Sequence, residues 1–298
     1  MKLRFCLIML LLGTMISSAR AARLYWPNPL STASGEKNAS DLVEFDTTYT
    51  FESSFHDSRL GRGSSLYNDV SYDHRFRVQG NWCLRVGVEY ERFDFGGSDN
   101  GLPDHLQAIF GHLAYEYVVR DRAAAGIRLH PGFYFQNRIS GDAFDIPFKL
   151  FAGFPLKKDK LFAFIGVGGG IYQNPVVGPG GGIVWLISDK MRLEGVFPKP
   201  AFVYNPSESW QFRIYGDLLY ETFRTDDVVT PKFELHNAVL EYSEWRAGLQ
   251  ASYSGFDAFK INFGAGWTIR RSFDFYRADR REKVEPAPFL RLAVEGKF

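Results

Sequence analysis

The last thirteen residues, Pro286–Phe298, read PAPFLRLAVEGKF. Leu290, Leu292, Val294 and Phe298 alternate with Arg291, Ala293, Glu295 and Lys297. A period of two places the first set on one face of a β-strand and the second on the other. This strand has an apolar face and a charged face, and the chain stops on an aromatic.

The same pattern recurs from Val43 onward. The clearest case is the pair of segments between Leu66 and Phe95. Val70, Tyr72, Phe76 and Val78 alternate with Asp69, Ser71, Asp73, Arg75 and Arg77; then Trp82, Leu84, Val86, Val88 and Tyr90 alternate with Cys83, Arg85, Gly87, Glu89 and Glu91. Residues paired across a hairpin share a face, and both polar sets carry odd numbers, so the connection has an odd count. Gln79-Gly80-Asn81 supplies three turn-forming residues. Similar alternation runs through Ala125–Gln136, Phe144–Phe154, Trp210–Glu221, Val239–Tyr253 and Phe259–Arg270. Two segments are less regular. His105–Val119 mixes His112 and Glu116 into its better apolar face, and Leu161–Tyr172 is apolar throughout.

Short polar connections (Gln79–Asn81, Arg120–Arg122, Lys157–Lys160, Ser188–Lys190, Ser254–Asp257) alternate with longer ones (Gly96–Pro103, Thr225–His236, Arg277–Ala287). Counting Arg192–Tyr204 as one strand gives an odd total. Single-chain bacterial barrels have even counts. Pro198-Lys199-Pro200 resolves the parity, because proline cannot donate to a ladder and two in three residues make a hairpin tip. The expectation is an all-β, antiparallel transmembrane β-barrel of 12–14 strands, with 14 favoured.

The N-terminus carries an address. Lys2 and Arg4 precede an apolar run from Phe5 to Ile16, followed by Ala19-Arg20-Ala21, the layout of a secretory signal peptide. The run is too short for a spanning helix, which needs roughly 20 apolar residues. The expected organisation is a signal peptide over 1–21, a periplasmic tail or linker over 22–41, and the barrel over 42–298. Loss of Lys2, Arg4 and Arg20 takes the formal charge from +1 by three units to −2, which suggests no nucleic-acid partner. Cys6 lies in the leader, so Cys83 has no mate for an internal disulfide.

A soluble β-protein turns its apolar face inward, whereas a membrane barrel turns it to lipid around a polar lumen. Strand candidates of about 10–14 residues suit a tilted spanning strand better than the globular norm of about 5–6. Trp82 and Trp210 sit beside short turns, where an interfacial aromatic girdle belongs. With the leader, the amphipathic strands and the final strand ending in Phe298, residues 43–298 resemble bacterial outer-membrane β-barrel proteins. The resemblance implies a closing pair between the last and first strands. It also implies a wall embedded in outer-membrane lipid, and recognition of the Phe298 strand by the barrel-assembly machinery.

In such a barrel the inward set is Asp69, Asp73, Arg75, Arg77, Arg85, Glu89, Glu91, Arg128, Lys149, Arg213, Asp217, Glu221, Glu244, Arg246, Lys260, Arg270, Arg291, Glu295 and Lys297. In an open channel opposed charges shape the field at a constriction; in a narrow lumen they pair and seal it. The glycines between Gly166 and Gly182 lack the Gly-Lys-Ser/Thr of a phosphate cradle and read as sites of bending or close approach. The six histidines form no metal-ligand spacing, no catalytic motif stands out, and no cofactor is expected. The functional expectation is a small passive pore for ions or small solutes. The alternatives are a sealed structural or surface-binding barrel and, third, a barrel-borne enzyme.

Overall fold

A computed structural model describes residues 39–298 apart from 97–100, 120–121, 159 and 257. The expected signal peptide and most of the expected tail lie outside the described residues. The first strand begins at Ala39, three residues ahead of the boundary expected for the barrel.

The wall is one antiparallel sheet closed on itself. Its strands are β1 (Ala39–Ser54), β2 (Arg62–Gln79), β3 (Trp82–Gly96), β4 (His105–Val119), β5 (Arg122–Leu129), β6 (Gly132–Phe135), β7 (Phe144–Asp145), β8 (Phe148–Lys157), β9 (Leu161–Gly169) and β10 (Val177–Leu186). There follow β11 (Met191–Val196), β12 (Ala201–Tyr204) and β13 (Trp210–Arg224), a small hairpin of β14 (Val228–Val229) and β15 (Glu234–Leu235), then β16 (Val239–Tyr253), β17 (Phe259–Phe275), β18 (Arg280–Val284) and β19 (Pro288–Lys297). Pro131, Pro147 and Pro286 interrupt β5/β6, β7/β8 and β18/β19, each of which is one stave in two pieces. The sheet's seventeen segments therefore make fourteen staves. The two short ones, β11 and β12, meet at Phe197–Pro200, where the paired prolines placed a tip.

The final strand closes the ring as expected, pairing with β1 from Leu42↔Lys297 to Thr50↔Phe289. Phe298 exchanges both backbone hydrogen bonds with Asp41 (3.0 and 3.1 Å). Two local expectations are corrected. The β2–β3 turn is the pair Gly80-Asn81, and a bulge between Arg77 and Gln79 restores the parity that three loop residues were expected to supply. The expected loop Arg277–Ala287 contains a strand, β18, which pairs with β17 from Arg271↔Val284 to Phe275↔Arg280.

Outward positions are apolar and exposed along the wall: Val70, Tyr72, Val86, Val88, Leu150, Ile165, Ile214, Leu249, Phe263 and Leu290 among them. Near the tight turns Trp82 stacks on Tyr115 (4.7 Å) and Trp210 packs on Tyr253 (4.9 Å). That is an aromatic girdle at the end where both described termini lie.

The opposite end is narrower. There β6 and β13 meet in parallel at Arg224↔Phe135, and the Gln136 amide donates to the Arg224 carbonyl (2.9 Å). The bridge bypasses β7–β12. Phe55↔Val284 joins the end of β1 to β18, so β1, β2, β3, β4, β6, β13, β16, β17 and β18 form a ring of nine. Above Gly216, β13 runs behind the bypassed strands, and Leu218 and Tyr220 are buried at 1% and 2% exposure despite their outward parity. A ring of about eight strands is just wide enough for side chains to fill, whereas fourteen leave space. The barrel is a funnel, and its narrow end is a packed core.

Gly132 sits where β6 meets β4, and a Cβ there would lie 2.2 Å from the Phe110 Cβ and 2.4 Å from the Ile109 carbonyl oxygen. Gly132→Val is expected to lower the urea midpoint of the folded barrel by an overpacking cost of about 1–3 kcal/mol. Gly141→Val, at a position with open space around it, is the control and should leave the midpoint unchanged.

Candidate functional site

The site is the lumen, built in two tiers. The loop-end tier is apolar. Inward residues of the nine-strand ring, including Tyr67, Phe93, Leu106, Phe110, Tyr134, Leu219, Phe223, Leu240, Tyr242, Phe273 and Phe275, form one buried cluster. Leu60, Leu102, Val228, Phe233 and Leu235 from the loops pack into it. Phe93 on β3 reaches Tyr242 on β16 (5.1 Å between ring centroids) and Phe223 on β13 (6.0 Å). Side chains from facing walls thus meet in mid-lumen.

Loops close over this cluster. Gln136 accepts from the Asp226 amide (3.1 Å), Asn137 donates to Asp226 (2.9 Å), and Asn237 donates to Asp142 (3.0 Å), joining the 136–143 and 225–238 loops. The Lys232 ammonium bridges Asp57 (2.7 Å) and Glu282 (3.0 Å). Hydrogen bonds from the Arg59 guanidinium and from Lys232 hold the Asp57 carboxyl well below the usual carboxylate range.

Beneath the stopper lies the charged tier. Glu244 accepts from Tyr242 (2.7 Å) and Arg246 (2.8 Å). Arg85 bridges Asp73 (3.3 Å) and Glu116 (3.5 Å), and Arg128 donates to Glu116 from Nε (2.6 Å). His112 lies between Asp73 (2.8 Å) and Glu89 (2.7 Å). Arg291 grips both oxygens of Asp46, and Arg213 and Arg192 converge on Glu194. Each buried charge named here faces an opposite one, the condition under which charges tolerate removal from water.

The sequence-derived set divides as follows. Asp69, Asp73, Arg85, Glu89, Glu91, Arg128, Lys149, Asp217, Glu221 and Arg246 line one central cavity. Arg75, Arg213, Glu244, Arg291, and the Lys260–Glu295 pair (3.0 Å) lie on the inner face around it. Arg77 keeps inward parity but is exposed one pair from the tight turn. Arg270 is a correction. A bulge opposite Trp245/Arg246 inserts Ile269, so Arg270 faces outward across from Trp245 and Arg271 turns in, donating to Ser53 and lying 3.5 Å from Ser65.

The sequence did not select Glu44, Asp46, Glu194 or Lys199. Lys199, on the proline tip, turns into the lumen and lies 3.6 Å from Asp217. Its only signal was its place between two prolines. Asp69, Glu89 and Glu91 bring carboxylate oxygens within 4.8 Å of one another, an oxygen-only set of the type hard cations use. The three were known as neighbours on one hairpin, but not as a convergent group. Each has partners in the wall, and the group carries no metal assignment.

Taken together, an apolar belt facing outward, paired charges facing inward and a closed fourteen-strand ring define an integral membrane β-barrel. No family model and no curated protein matches the chain. Among solved structures it is similar to an outer membrane channel from Pseudomonas putida F1, at 9% identity over 91% of this chain and 99% of that one, with a TM-score of 0.48. It is also similar to the toluene transporter TodX of Pseudomonas putida (9% identity, 93% and 95% covered, TM-score 0.40). A third is the outer membrane protease OmpT of Escherichia coli (10% identity, 90% and 99% covered, TM-score 0.27).

Two tests follow from this geometry. Glu116→Gln leaves Arg85 and Arg128 facing each other without their shared anion and should cost roughly 3–5 kcal/mol in urea unfolding; adding Arg128→Met should recover part of it. At the loop end, a carboxylate with a depressed pKa contributes stability above its unfolded value, about 3.9, and loses it only as pH falls through the lower folded value. Asp57→Asn should therefore accelerate protease cutting in the 225–238 loop, and the ratio of its cutting rate to that of the wild type should stay unchanged from about pH 8 to about pH 5.

Proposed function

We propose that this chain works as a stoppered barrel: a sealed outer-membrane wall that acts through its loop-end surface and does not conduct ions at rest. The observation that carries this reading is the contact of Phe93 with Tyr242 and Phe223 across the lumen. Well-packed apolar side chains leave no path wider than water, and an apolar constriction blocks ions by excluding it. The surface above supports a binding role, since Ile139, Ile171, Val176 and Val229 stand exposed among the loops. In this reading residues 1–21 direct export, and the strand ending in Phe298 is presented to the assembly machinery of a Gram-negative cell.

The small passive pore is the second reading. It is favoured by the central cavity below the stopper, whose walls carry both signs of charge, and it requires the stopper to move.

Single-channel recording of the refolded barrel in a planar bilayer separates the two, with insertion verified by heat-modifiable gel mobility. The stoppered reading expects an electrically silent wild type, and discrete conductance steps once Phe93→Ala and Phe223→Ala remove the contact. Steady conductance by the inserted wild type would overturn it in favour of the pore. Charge reversal at Asp73, Arg85 or Glu89 would then shift ion preference.

A further inference from the structure

The outer surface of a barrel is ordinarily convex, and here one sector is hollow. A concavity of about 940 Å³ opens on the lipid-facing side of β12, β13, β16, β17, β19 and β1. Two neighbouring rows of outward residues line it. One runs Phe202↔Ile214↔Leu249↔Ala265↔Leu290↔Tyr49 and the other Tyr204↔Phe212↔Ala251↔Phe263↔Leu292↔Thr47. The rims are large side chains, and the floor is Ala251, Ala265 and the backbone of Gly264.

The inner face behind the hollow is pared down. Gly248 and Gly264 face the lumen, where a Cβ would stand 3.0 Å from the Phe289 ring and 3.3 Å from the Tyr215 hydroxyl. The nearer row is two residues from the Trp210–Tyr253 girdle, or about 6–7 Å along the strands. The hollow therefore opens among the acyl chains of the leaflet at the turn end.

We propose that this groove holds an acyl chain of one phospholipid from that leaflet, and that the lipid stays with the barrel through detergent extraction. The groove is continuous with the membrane-facing belt, its lining is apolar, and its volume is in the range of pockets that enclose a small ligand, about 300–1,000 Å³. Within a bilayer, association is driven by close packing. A chain in a hollow touches wall on several sides, where a chain on the convex belt touches it on one, and many weak contacts sum. A second copy is a poor occupant, because a two-fold contact would set hollow against hollow.

The test reconstitutes the barrel in phosphatidylethanolamine vesicles containing a minor share of the same lipid with a diazirine in its acyl chain. The sample is irradiated, extracted into detergent and mapped by mass spectrometry. The expected result is a one-to-one adduct concentrated on Ile214, Leu249, Ala251 and Ala265. Adduct yield should fall several-fold in the variant carrying Ala251→Phe and Ala265→Phe, provided that its gel mobility shows a folded barrel. If that variant misfolds, the wild-type map decides alone, against Val86, Val88 and Leu150 on the convex belt. Even labelling of groove and belt would overturn the proposal, leaving ordinary solvating lipid. A disulfide-linked dimer of Leu249→Cys in the same vesicles would overturn it in favour of a second copy; Cys83, buried in the wall, does not compete in that reaction.

Discussion

The size of the ring decides what this lumen can be, and the contact of β6 with β13 sets the size. Fourteen staves enclose more room than their side chains fill, and at the turn end that room is a charged cavity. One parallel bridge, Arg224↔Phe135, drops the staves between β6 and β13 out of the ring. The nine that remain bring facing walls to side-chain distance, and aromatic residues that would line a pore become a core. The polarity of the interior follows: apolar where opposite walls touch, charged where they do not.

The charged tier obeys its own constraint. A buried ion costs several kcal/mol in lost hydration unless an opposite charge and further hydrogen bonds replace the water. The inner face meets this with shared anions: Glu116 between Arg85 and Arg128, Glu194 between Arg192 and Arg213, Glu244 beside Arg246 and Tyr242. The Glu116 pairs reach from β4 to both of its neighbours, β3 and β5, so they fix register as well as charge. Glu194 links β11 to β13 across β12, and Glu244 holds partners on its own strand, β16.

Much of this was legible because strand parity is a local rule. Period two gave the faces of β2, β3, β16 and β19, whereas the closing pair of β19 with β1 came from the resemblance to outer-membrane barrels. Pro198 and Pro200 gave the fourteenth stave through a chemical limit, the missing donor. The failures share a physical origin. In β4 the inward positions pass from Leu106, Ala108 and Phe110 to His112 and Glu116, so the face changes character as it leaves the stopper. On β13, Leu218 and Tyr220 are covered from outside while Leu219 and Phe223 are covered from within. Alternation vanishes wherever both sides of a strand are packed, and packing against a distant strand leaves no mark at the period of two. Arg270 failed for a smaller reason, since one inserted residue reverses every assignment after it.

The bridge between β6 and β13 also bears on how the protein reaches its final form. Asn137 and Asp226, which join the loops beside it, are 89 residues apart, whereas successive staves need only a tight turn between them. Closing a long loop costs more chain entropy than closing a short one, and distant pairings form late. A sheet growing hairpin by hairpin would therefore complete much of its circumference before its mouth was drawn in. Such a barrel would pass through a wider, wetter stage before its apolar mouth packed shut.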